Sequence, residues 1–378
     1  MAILNFPLQV YAWQGDKGGN MKLKLVVLVI MAVGLLSSCG ISEERSGRTL
    51  TENNNEMNDE FLTVNSGNTG ATELGNNIFI SCEFPDYQSI KLFDASLGMG
   101  TNIDLLSLFK SKPDVKQDPQ SGYIQFSCGS EKGALSNETG FGYYCTEEGN
   151  KLDSWAGQLS NDVHFFDEYK FTDENFFMSI ENAKENILSA LTNMGIGECS
   201  LELYPVTEEI FNFYCDYYDE NLMMDQNDRN SEDLFGKYEE FYFVKGRFLI
   251  NDVPIFDNDA GNIDNGSAIF GSSFRAIYTE NGLEAIWIIN HYEVKKITSE
   301  DCQILSNEEI LNQLKSVIEN SFLTDPITIN KINLVYIPIP QNSLEELYTE
   351  YIMTPAWEFT DENGDNWYIN AITGQEVV

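Results

Sequence analysis

The sequence predicts an α+β fold in which antiparallel sheets are each packed by one helix. Two segments, 180–194 and 310–318, carry apolar residues at helical spacing. Each is followed by runs in which apolar and polar residues alternate, a pattern typical of strands separated by turns. A helix followed by antiparallel strands, occurring twice, indicates α+β architecture rather than alternating parallel βαβ units.

The beginning of the sequence predicts a signal peptide over residues 21–38. Met21–Lys24 is basic, and Leu25–Leu36 is apolar apart from Gly34. As a helix this apolar run would rise roughly 18 Å, which is too short for a hydrocarbon core of about 30 Å. The run is therefore expected to be an export signal and not a stable membrane span.

Residues 1–20 do not fit a leader, because they include Pro7, Trp13 and Asp16. The codons for Lys17–Asn20 can contain a purine-rich ribosome-binding site just before Met21. We therefore expect translation to start at Met21. A genuine N-terminal extension is the alternative.

The segment Leu36-Ser37-Ser38-Cys39-Gly40 resembles the lipobox of bacterial lipoproteins. The resemblance implies cleavage before Cys39 and lipid attached to its thiol, which would hold the protein on the outer, extracytoplasmic face of the cell membrane. Two acyl chains anchor a protein stably, at ~0.8 kcal/mol per buried methylene. The alternative is an ordinary secretory cleavage site that precedes a cysteine.

The charge excludes one class of partner. The chain has 60 acidic and 22 basic residues, a formal net charge of −38. Such a surface repels phosphate backbones and anionic headgroups, so nucleic acid is not expected as a partner. The acidic residues are spread along the chain, which is typical of a solvated exterior.

Composition divides the mature chain into four segments. Residues 39–76 are rich in Ser, Asn, Glu, Gly and Thr and are expected to be a disordered tether. Residues 77–172 are expected to form a β-rich N-terminal domain. Residues 173–297 and 298–378 are each expected to form an α+β unit.

The N-terminal domain shows short strand patterns and one helical pattern. Strands are predicted at Ile78–Ile80, Tyr123–Phe126 and Phe141–Tyr144. A brief helix is predicted over Asp104–Lys110.

In the second segment, Ser179 is the predicted N-cap of a helix that ends at Gly195. The predicted strands that follow are listed here in chain order: Leu201–Leu203, Phe211–Tyr217, Tyr238–Ile250, Ser267–Tyr278 and Ala285–Ile297. The last two are expected to form a hairpin across Glu280–Gly282.

In the third segment, Ser306 and Glu309 form a capping box before the apolar stripe of a second helix. Ile327–Pro340 is predicted to be a long strand whose prolines suit a sheet edge. Ala356–Phe359 is predicted to pair with Trp367–Asn370 across an Asp361–Gly364 turn.

Six cysteines follow Cys39, an even number that allows disulfides in an exported protein. Fifteen pairings are possible. Cys199–Cys215 and Cys128–Cys145 are the preferred bridges, because each pair flanks an expected strand-turn-strand pattern. Closing a loop of about 15 residues with a disulfide would raise the free energy of unfolding by roughly 3 kcal/mol.

No catalytic or metal-binding pattern is evident, and no cofactor is expected. His164 and His291 lack the spacing of a ligand pair and are expected to be surface or hairpin residues. Asp257, Asp259 and Asp264 lie in a Gly-rich loop, but the glycine position and the missing glutamate exclude an EF-hand. Loose surface calcium binding stays open as an alternative.

The C-terminus resembles a known group. Pro355–Phe359, followed by Trp367–Gly374, resembles the closing hairpin of PepSY-like domains, and is most similar to YycH/YycI-type regulatory proteins. Ile250–Ile255 resembles a middle strand of the same group, which usually has Gly where this chain has Asp252. The resemblance covers roughly residues 173–378.

That resemblance implies regulation through protein contact outside the membrane. Trp357, Phe359, Trp367 and Tyr368 are therefore expected to form a partner surface, although cross-strand aromatics are more often a packing face. The expected function is a non-enzymatic lipoprotein that binds or regulates another envelope protein. The alternative is a lipid-tethered enzyme or inhibitor acting on wall polymer or peptides, with a groove in residues 77–171.

Overall fold

The computed structural model describes residues 72–75, 77–87, 89–99, 103–118, 122–160, 176–219, 230–257, 260–261, 268–321, 325–341 and 350–377. These residues belong to one compact unit, Asn68–Val378. The predicted leader, the lipobox with Cys39, the tether up to residue 71 and His164 lie outside the described residues.

A seven-stranded sheet collects strands from both ends of the described chain. Its strands are β1 (Thr72–Gly75), β2 (Ile78–Ile80), β3 (Ser89–Leu97), β15 (Tyr292–Gln303), β16 (Ile327–Pro340), β17 (Tyr351–Asp361) and β18 (Asn366–Asn370). The order is β1-β2-β16-β17-β3-β15, with β18 also paired to β17. The pairs are antiparallel except β2 with β16.

A nine-stranded antiparallel sheet is formed by the middle of the chain. Its strands are β4 (Asp114–Gln117), β5 (Ile124–Cys128), β6 (Glu131–Ser136), β7 (Phe141–Cys145), β8 (Cys199–Val206), β9 (Phe241–Ile250), β10 (Val253–Pro254), β13 (Ser273–Thr279) and β14 (Gly282–Ile289). The order is β10-β9-β13-β14-β7-β6-β5-β4, and β8 pairs with β9. β11 (Ala260–Gly261) and β12 (Ala268–Ile269) pair separately.

Five α-helices are described: α1 (Glu147–Ser160), α2 (Ile180–Asn193), α3 (Glu208–Tyr217), α4 (Ser231–Phe235) and α5 (Asn307–Asn320). A 3₁₀ turn, Leu105–Leu108, lies where the brief helix was predicted. Ser179 caps α2, and Gly195 follows it with a φ of +81°, as predicted. The Ser306–Glu309 capping box of α5 also forms.

The two faces of the nine-stranded sheet belong to different cores. One face packs into a large cluster that also contains α2, α5 and the seven-stranded sheet. The other face packs against α1, α3 and α4, where Trp155 is fully buried and its indole N–H donates to the Phe211 carbonyl at 3.3 Å. The α+β prediction with antiparallel sheets is confirmed at this level. The expectation of one helix per sheet is not met, because the nine-stranded sheet has helices on both faces.

Three helices were not predicted from the sequence: α1, α3 and the short α4. α1 buries Leu152, Trp155 and Ala156, which are spaced for one helical face. The prediction of a strand at Phe211–Tyr217 is wrong, because these residues lie in α3, which begins after its N-cap Thr207. The buried residues there are Ile210, Phe211 and Tyr214, whereas Phe213 and Tyr217 are exposed. The apparent alternation came from two solvent-facing aromatics.

The sheets do not follow the predicted division at 172/173 and 297/298. β3 lies in the first predicted domain, yet it pairs with β15 and β17. β7 lies in the same domain and pairs with β14. The predicted boundary at 297/298 falls inside β15.

β16 forms as predicted, but it lies inside its sheet between β2 and β17. Its prolines are tolerated because of their direction. The Tyr336 carbonyl points away from β17 and accepts from the Phe256 amide at 2.8 Å. Alternate residues of a strand direct their backbone groups to the same side, so Pro338 and Pro340 need no N–H toward β17.

The chain passes from one sheet to the other at Asn290 and His291, so the predicted single strand Ala285–Ile297 is two strands. Asn290 adopts a φ of +49°, and its side-chain amide donates to the Gly271 carbonyl at 2.9 Å. The His291 amide donates to the Gly140 carbonyl at 2.8 Å, and the Gly98 amide donates to the His291 carbonyl at 2.9 Å. The crossover therefore joins three chain segments.

His291 is partly buried at this crossover, and the prediction of a surface or hairpin position is wrong. Its Nδ1 lies 2.7 Å from the Gly98 carbonyl, and its ring packs edge-on to Phe248. Burial lowers the pKa of His291, although the Gly98 carbonyl favours the protonated ring. The histidine is a structural group that packs between the sheets.

Gly140 makes the tightest approach at the crossover. Its φ is +63°, and a Cβ there would lie 2.4 Å from the His291 carbonyl oxygen. Gly129 has a similar φ of +61° but nothing within 4 Å. It separates the backbone cost of a side chain from the cost of the contact.

We expect Gly140→Ala to lower the free energy of unfolding by about 3 kcal/mol or more, because backbone strain and overpacking add. Gly129→Ala should cost about 1 kcal/mol from backbone strain alone. Urea unfolding of both variants measures the difference. Equal losses would show that the close approach at His291 contributes nothing.

Candidate functional site

The candidate site begins with a row of side chains on the helix-bearing face of the nine-stranded sheet. The register places Lys245 opposite Arg275, Arg275 opposite Trp287 and Trp287 opposite Tyr143. These four residues lie two positions from the residues that α1, α3 and α4 cover, and all four are partly buried. They continue the helix-covered face into solvent, and we call them the cross-strand row.

The middle of the cross-strand row is a stack. The rings of Tyr143 and Trp287 are 4.5 Å apart between centroids and 11° from parallel. The Arg275 guanidinium carbon lies 5.6 Å from the Trp287 ring centroid. Phe141 packs against both aromatic rings at about 6 Å. Both faces of the Trp287 ring are therefore contacted, one by Tyr143 and the other by Arg275.

α1 fixes the position of Arg275. Its Nε and Nη2 donate to the two carboxylate oxygens of Asp153 at 2.8 and 3.1 Å. Asp153 is buried on α1, directly beside the buried Leu152. A bidentate pair of this kind restrains the guanidinium in both position and orientation. The row is therefore ordered before anything binds.

A groove of about 370 Å³ adjoins the cross-strand row and lies between the two sheets. Four cations line it, namely Lys245, Arg247, Arg275 and Lys331, together with three carboxylates, Glu202, Asp257 and Glu358. The whole chain has almost three acidic residues for each basic one. With Asp153, which pairs with Arg275, cations and carboxylates are equal in number here, so the groove is much less acidic than the chain as a whole.

Arg247 joins the two sheets at the floor of the groove. It lies 3.3 Å from an Asp257 oxygen and 3.4 Å from an Oε2 of Glu358, and it also donates to the Ile255 carbonyl. Glu358, on β17, accepts further bonds from Asn333 at 3.0 Å and Tyr368 at 3.1 Å. The buried carboxylate of Glu358 is fully engaged by these donors.

Asp257 is held less favourably. Burial raises its pKa by more than the attraction of Arg247 lowers it, and the nearby Glu358 and Glu202 carboxylates raise it further. Both Asp257 and Glu358 are committed to one guanidinium.

Most of the loop considered for calcium lies outside the described residues. Asp257 is bound to Arg247, while Asp259 and Asp264 lie outside the described residues. Among the residues that the structure describes, no group of three or more His, Cys, Asp or Glu side chains has the arrangement of a metal site.

The structure corrects the prediction of a partner surface at the C-terminus. The predicted hairpin does form, since β17 pairs with β18 from Ala356–Asn370 to Thr360–Asn366. However, Trp357 and Phe359 are fully buried, and Tyr368 is nearly so. Phe84 packs edge-on to Trp357 from one side, and Phe256 packs on Tyr368. These aromatics are core residues, and of the four only Trp367 is partly exposed.

Neither preferred disulfide forms. Cys128, Cys145, Cys199 and Cys215 are all free thiols. Cys128 and Cys199 pack into the core on one face of the nine-stranded sheet, whereas Cys145 and Cys215 pack into the core on the other. A disulfide needs Cα atoms within about 7 Å, and a sheet lies between the members of each pair.

Three of these thiols are poor nucleophiles. Burial raises the pKa of Cys145 to about 12 and that of Cys199 and Cys215 to about 11. Since the thiolate is the reactive form, these cysteines act as small apolar packing residues.

The cross-strand row was not predicted from the sequence. Its local signal was visible, because Lys245 and Arg247 interrupt the apolar strand Phe241–Ile250 and Arg275 interrupts the next. The pairing of β7 with β14, which brings Tyr143 beside Trp287, joins residues far apart in the chain. No local pattern specifies that pairing.

Comparisons with known proteins add to the fold alone. No protein-family model matches the chain, and no curated protein matches it. Among solved structures, an uncharacterized protein from Eubacterium rectale ATCC 33656 is similar, with a TM-score of 0.54 and 15% sequence identity. The match covers 82% of this chain and 92% of that chain. In the described ranges, no helix is both long enough and apolar enough to cross a membrane.

We expect Arg247→Met to lower the free energy of unfolding by about 3–5 kcal/mol, because it leaves the buried Glu358 carboxylate without its cation. The double variant Arg247→Met/Glu358→Gln should recover more than half of that loss. Thermal and urea unfolding at pH 7 measure both. Lys184→Met, at an exposed site on α2, is the control. A single-variant loss below 1 kcal/mol would contradict the assigned role of Arg247.

Proposed function

We infer that this chain is a lipid-anchored, non-enzymatic protein of the cell envelope that binds or regulates another envelope protein. The observation that carries the inference is the cross-strand row, in which Arg275, Trp287 and Tyr143 are ordered, partly exposed and adjacent. Trp, Tyr and Arg are the residue types most often found at the energetic centres of protein interfaces. Stacking and the Asp153 pair restrain them already, so binding would cost little side-chain entropy.

The charges of the groove support binding over catalysis. A general acid or base needs a titrating group within reach of a substrate. Asp257 and Glu358 instead neutralise Arg247, and Asp153 neutralises Arg275. The carboxylates are therefore used to hold cations in place.

Two features of the sequence support the envelope location and the regulatory role. The signal-peptide pattern ending in Leu36–Gly40 resembles a lipobox, which implies lipid on Cys39 and attachment to the outer face of the membrane. The C-terminal segment resembles PepSY-like, YycH/YycI-type proteins, and we propose that α2 with β8 and α5 with β16–β18 are PepSY-like units. Because the hairpin aromatics are buried, we place the proposed contact surface at the cross-strand row instead.

The alternative function is a lipid-tethered enzyme or inhibitor that acts on wall polymer or peptides. The feature in its favour is that Phe141 and Tyr143, from the N-terminal segment, lie beside the groove. Its expected groove in residues 77–171 would have to use these aromatics without a free carboxylate from Asp257 or Glu358.

The test uses the membranes of cells that produce the protein. Labelled palmitate should be incorporated into the wild-type chain and not into Cys39→Ser, and the variant should leave the membrane pellet. Affinity capture of the lipidated wild type from the same membranes should recover a reproducible protein partner. Absence of label in the wild type removes the anchor from the proposal, and absence of any reproducible partner removes the binding function.

The control for capture compares loss of the stack with loss of an exposed aromatic side chain elsewhere on the protein. Tyr143→Ala/Trp287→Ala should lose most of the captured partner, because it removes the stack. Tyr217→Ala, at an exposed aromatic on α3, should retain it. Equal recovery with all three baits would contradict the assignment of the cross-strand row.

A further inference from the structure

The charge and the ring geometry together say what the cross-strand row and the groove would recognise. We propose that they bind an extended acidic peptide segment of the partner protein, with its carboxylates at Lys245 and Lys331 and its backbone along the edges of Trp287 and Tyr143. This proposal rests on the proposed function and adds the chemistry of the partner.

The local charge of the groove favours an acidic ligand. The chain carries −38 overall, so a partner with carboxylates is repelled by most of its surface. The groove is less acidic than that, because its four lining cations are matched by three lining carboxylates and by Asp153, the partner of Arg275. Glu358 and Asp257 are already paired with Arg247 on its floor, while Lys331 stands exposed on β16. Among the described residues, Lys331 has no ion-pair partner.

The orientation of the Trp287 and Tyr143 rings favours contact with a peptide. An aromatic ring is negative at its face and positive at its edge. The faces of Trp287 are covered by Tyr143 on one side and approached by Arg275 on the other. The part of the Trp287 ring that neither neighbour covers is therefore its weakly positive edge, which suits peptide carbonyls and carboxylates.

The length of the cross-strand row matches a short extended peptide. Lys245 and Tyr143 are separated by three strand spacings, from β9 across β13 and β14 to β7. At about 4.8 Å per spacing this is about 14 Å, which roughly four or five residues of extended peptide would cover. The groove, with about 370 Å³ at the Lys245 end, would accept one or two carboxylate side chains.

The direct test is binding of a defined peptide to the full chain carrying Cys39→Ser, which removes the lipid. The probe is a fluorescent twelve-residue peptide of alternating Glu and Gly, and the comparison peptide alternates Lys and Gly. Fluorescence anisotropy should show that the glutamate peptide binds more tightly at 150 mM salt. Its affinity should rise between 10 and 150 mM salt, because screening weakens the long-range repulsion more than the short contacts.

Charge-reversal variants locate the site. Lys245→Glu/Lys331→Glu should weaken binding of the glutamate peptide by about tenfold or more. Lys184→Glu/Lys315→Glu, on helices α2 and α5, makes the same change in net charge and should stay within about twofold of the parent. Lys245→Arg/Lys331→Arg should retain binding. Thermal unfolding of each variant checks that the fold is intact.

Three outcomes would overturn the proposal: tighter binding of the lysine peptide, equal losses in both charge-reversal pairs, or no binding of the glutamate peptide. These outcomes are separable from failure of the proposed function. If membrane capture recovers a partner but the glutamate peptide does not bind, the protein is a binding protein whose partner has different chemistry. If capture fails while the peptide binds at the groove, the site exists and the envelope partner does not.

Discussion

The close approach of Gly140 to His291 is the constraint on which the rest of the structure depends. At this point β14 leaves the nine-stranded sheet and β15 enters the seven-stranded one, and backbone bonds from Gly98 and Gly140 hold the crossover. A side chain at position 140 would meet the His291 backbone. Because the two sheets are joined here, Lys331 and Glu358 of one sheet line the same groove as Lys245 and Arg247 of the other.

The groove shows how a strongly acidic chain can keep basic side chains ordered at its surface. Arg275 is restrained by a buried carboxylate on α1, and Arg247 by two carboxylates from different parts of the chain. These pairs hold the guanidinium groups in place at the cost of part of their charge. A lipid on Cys39, as proposed, would leave the folded part with no membrane-binding task, so this groove would remain available to a protein partner.

Local patterns predicted what local physics determines. The caps at Ser179 and Ser306 could be predicted because the side chain there accepts a hydrogen bond from a backbone amide three residues away. The β17–β18 hairpin could be predicted for a similar reason, since the Asp361 carboxylate accepts from the Asn363 and Asp365 amides within the turn. These features depend on a few neighbouring residues.

The features that were missed depend on distant residues. Residues Phe211–Tyr217 were predicted as a strand but lie in α3. The helix buries Ile210 and Tyr214 against one face of the nine-stranded sheet, and only the complete fold supplies that face. The hairpin aromatics were expected to meet a partner, yet Phe84 and Phe256, from elsewhere in the chain, cover them. The cross-strand row required the pairing of β7 with β14, which only the complete fold reveals.

The central claim is that the cross-strand row is where this protein meets its partner. The most direct measurement replaces Trp287 with the photoreactive residue benzoylphenylalanine in the lipidated protein, in living cells, and replaces Tyr217 on α3 in a parallel strain. Illumination should produce a covalent adduct with one protein from position 287 and none from position 217. An adduct from position 217 with none from position 287 would contradict the account.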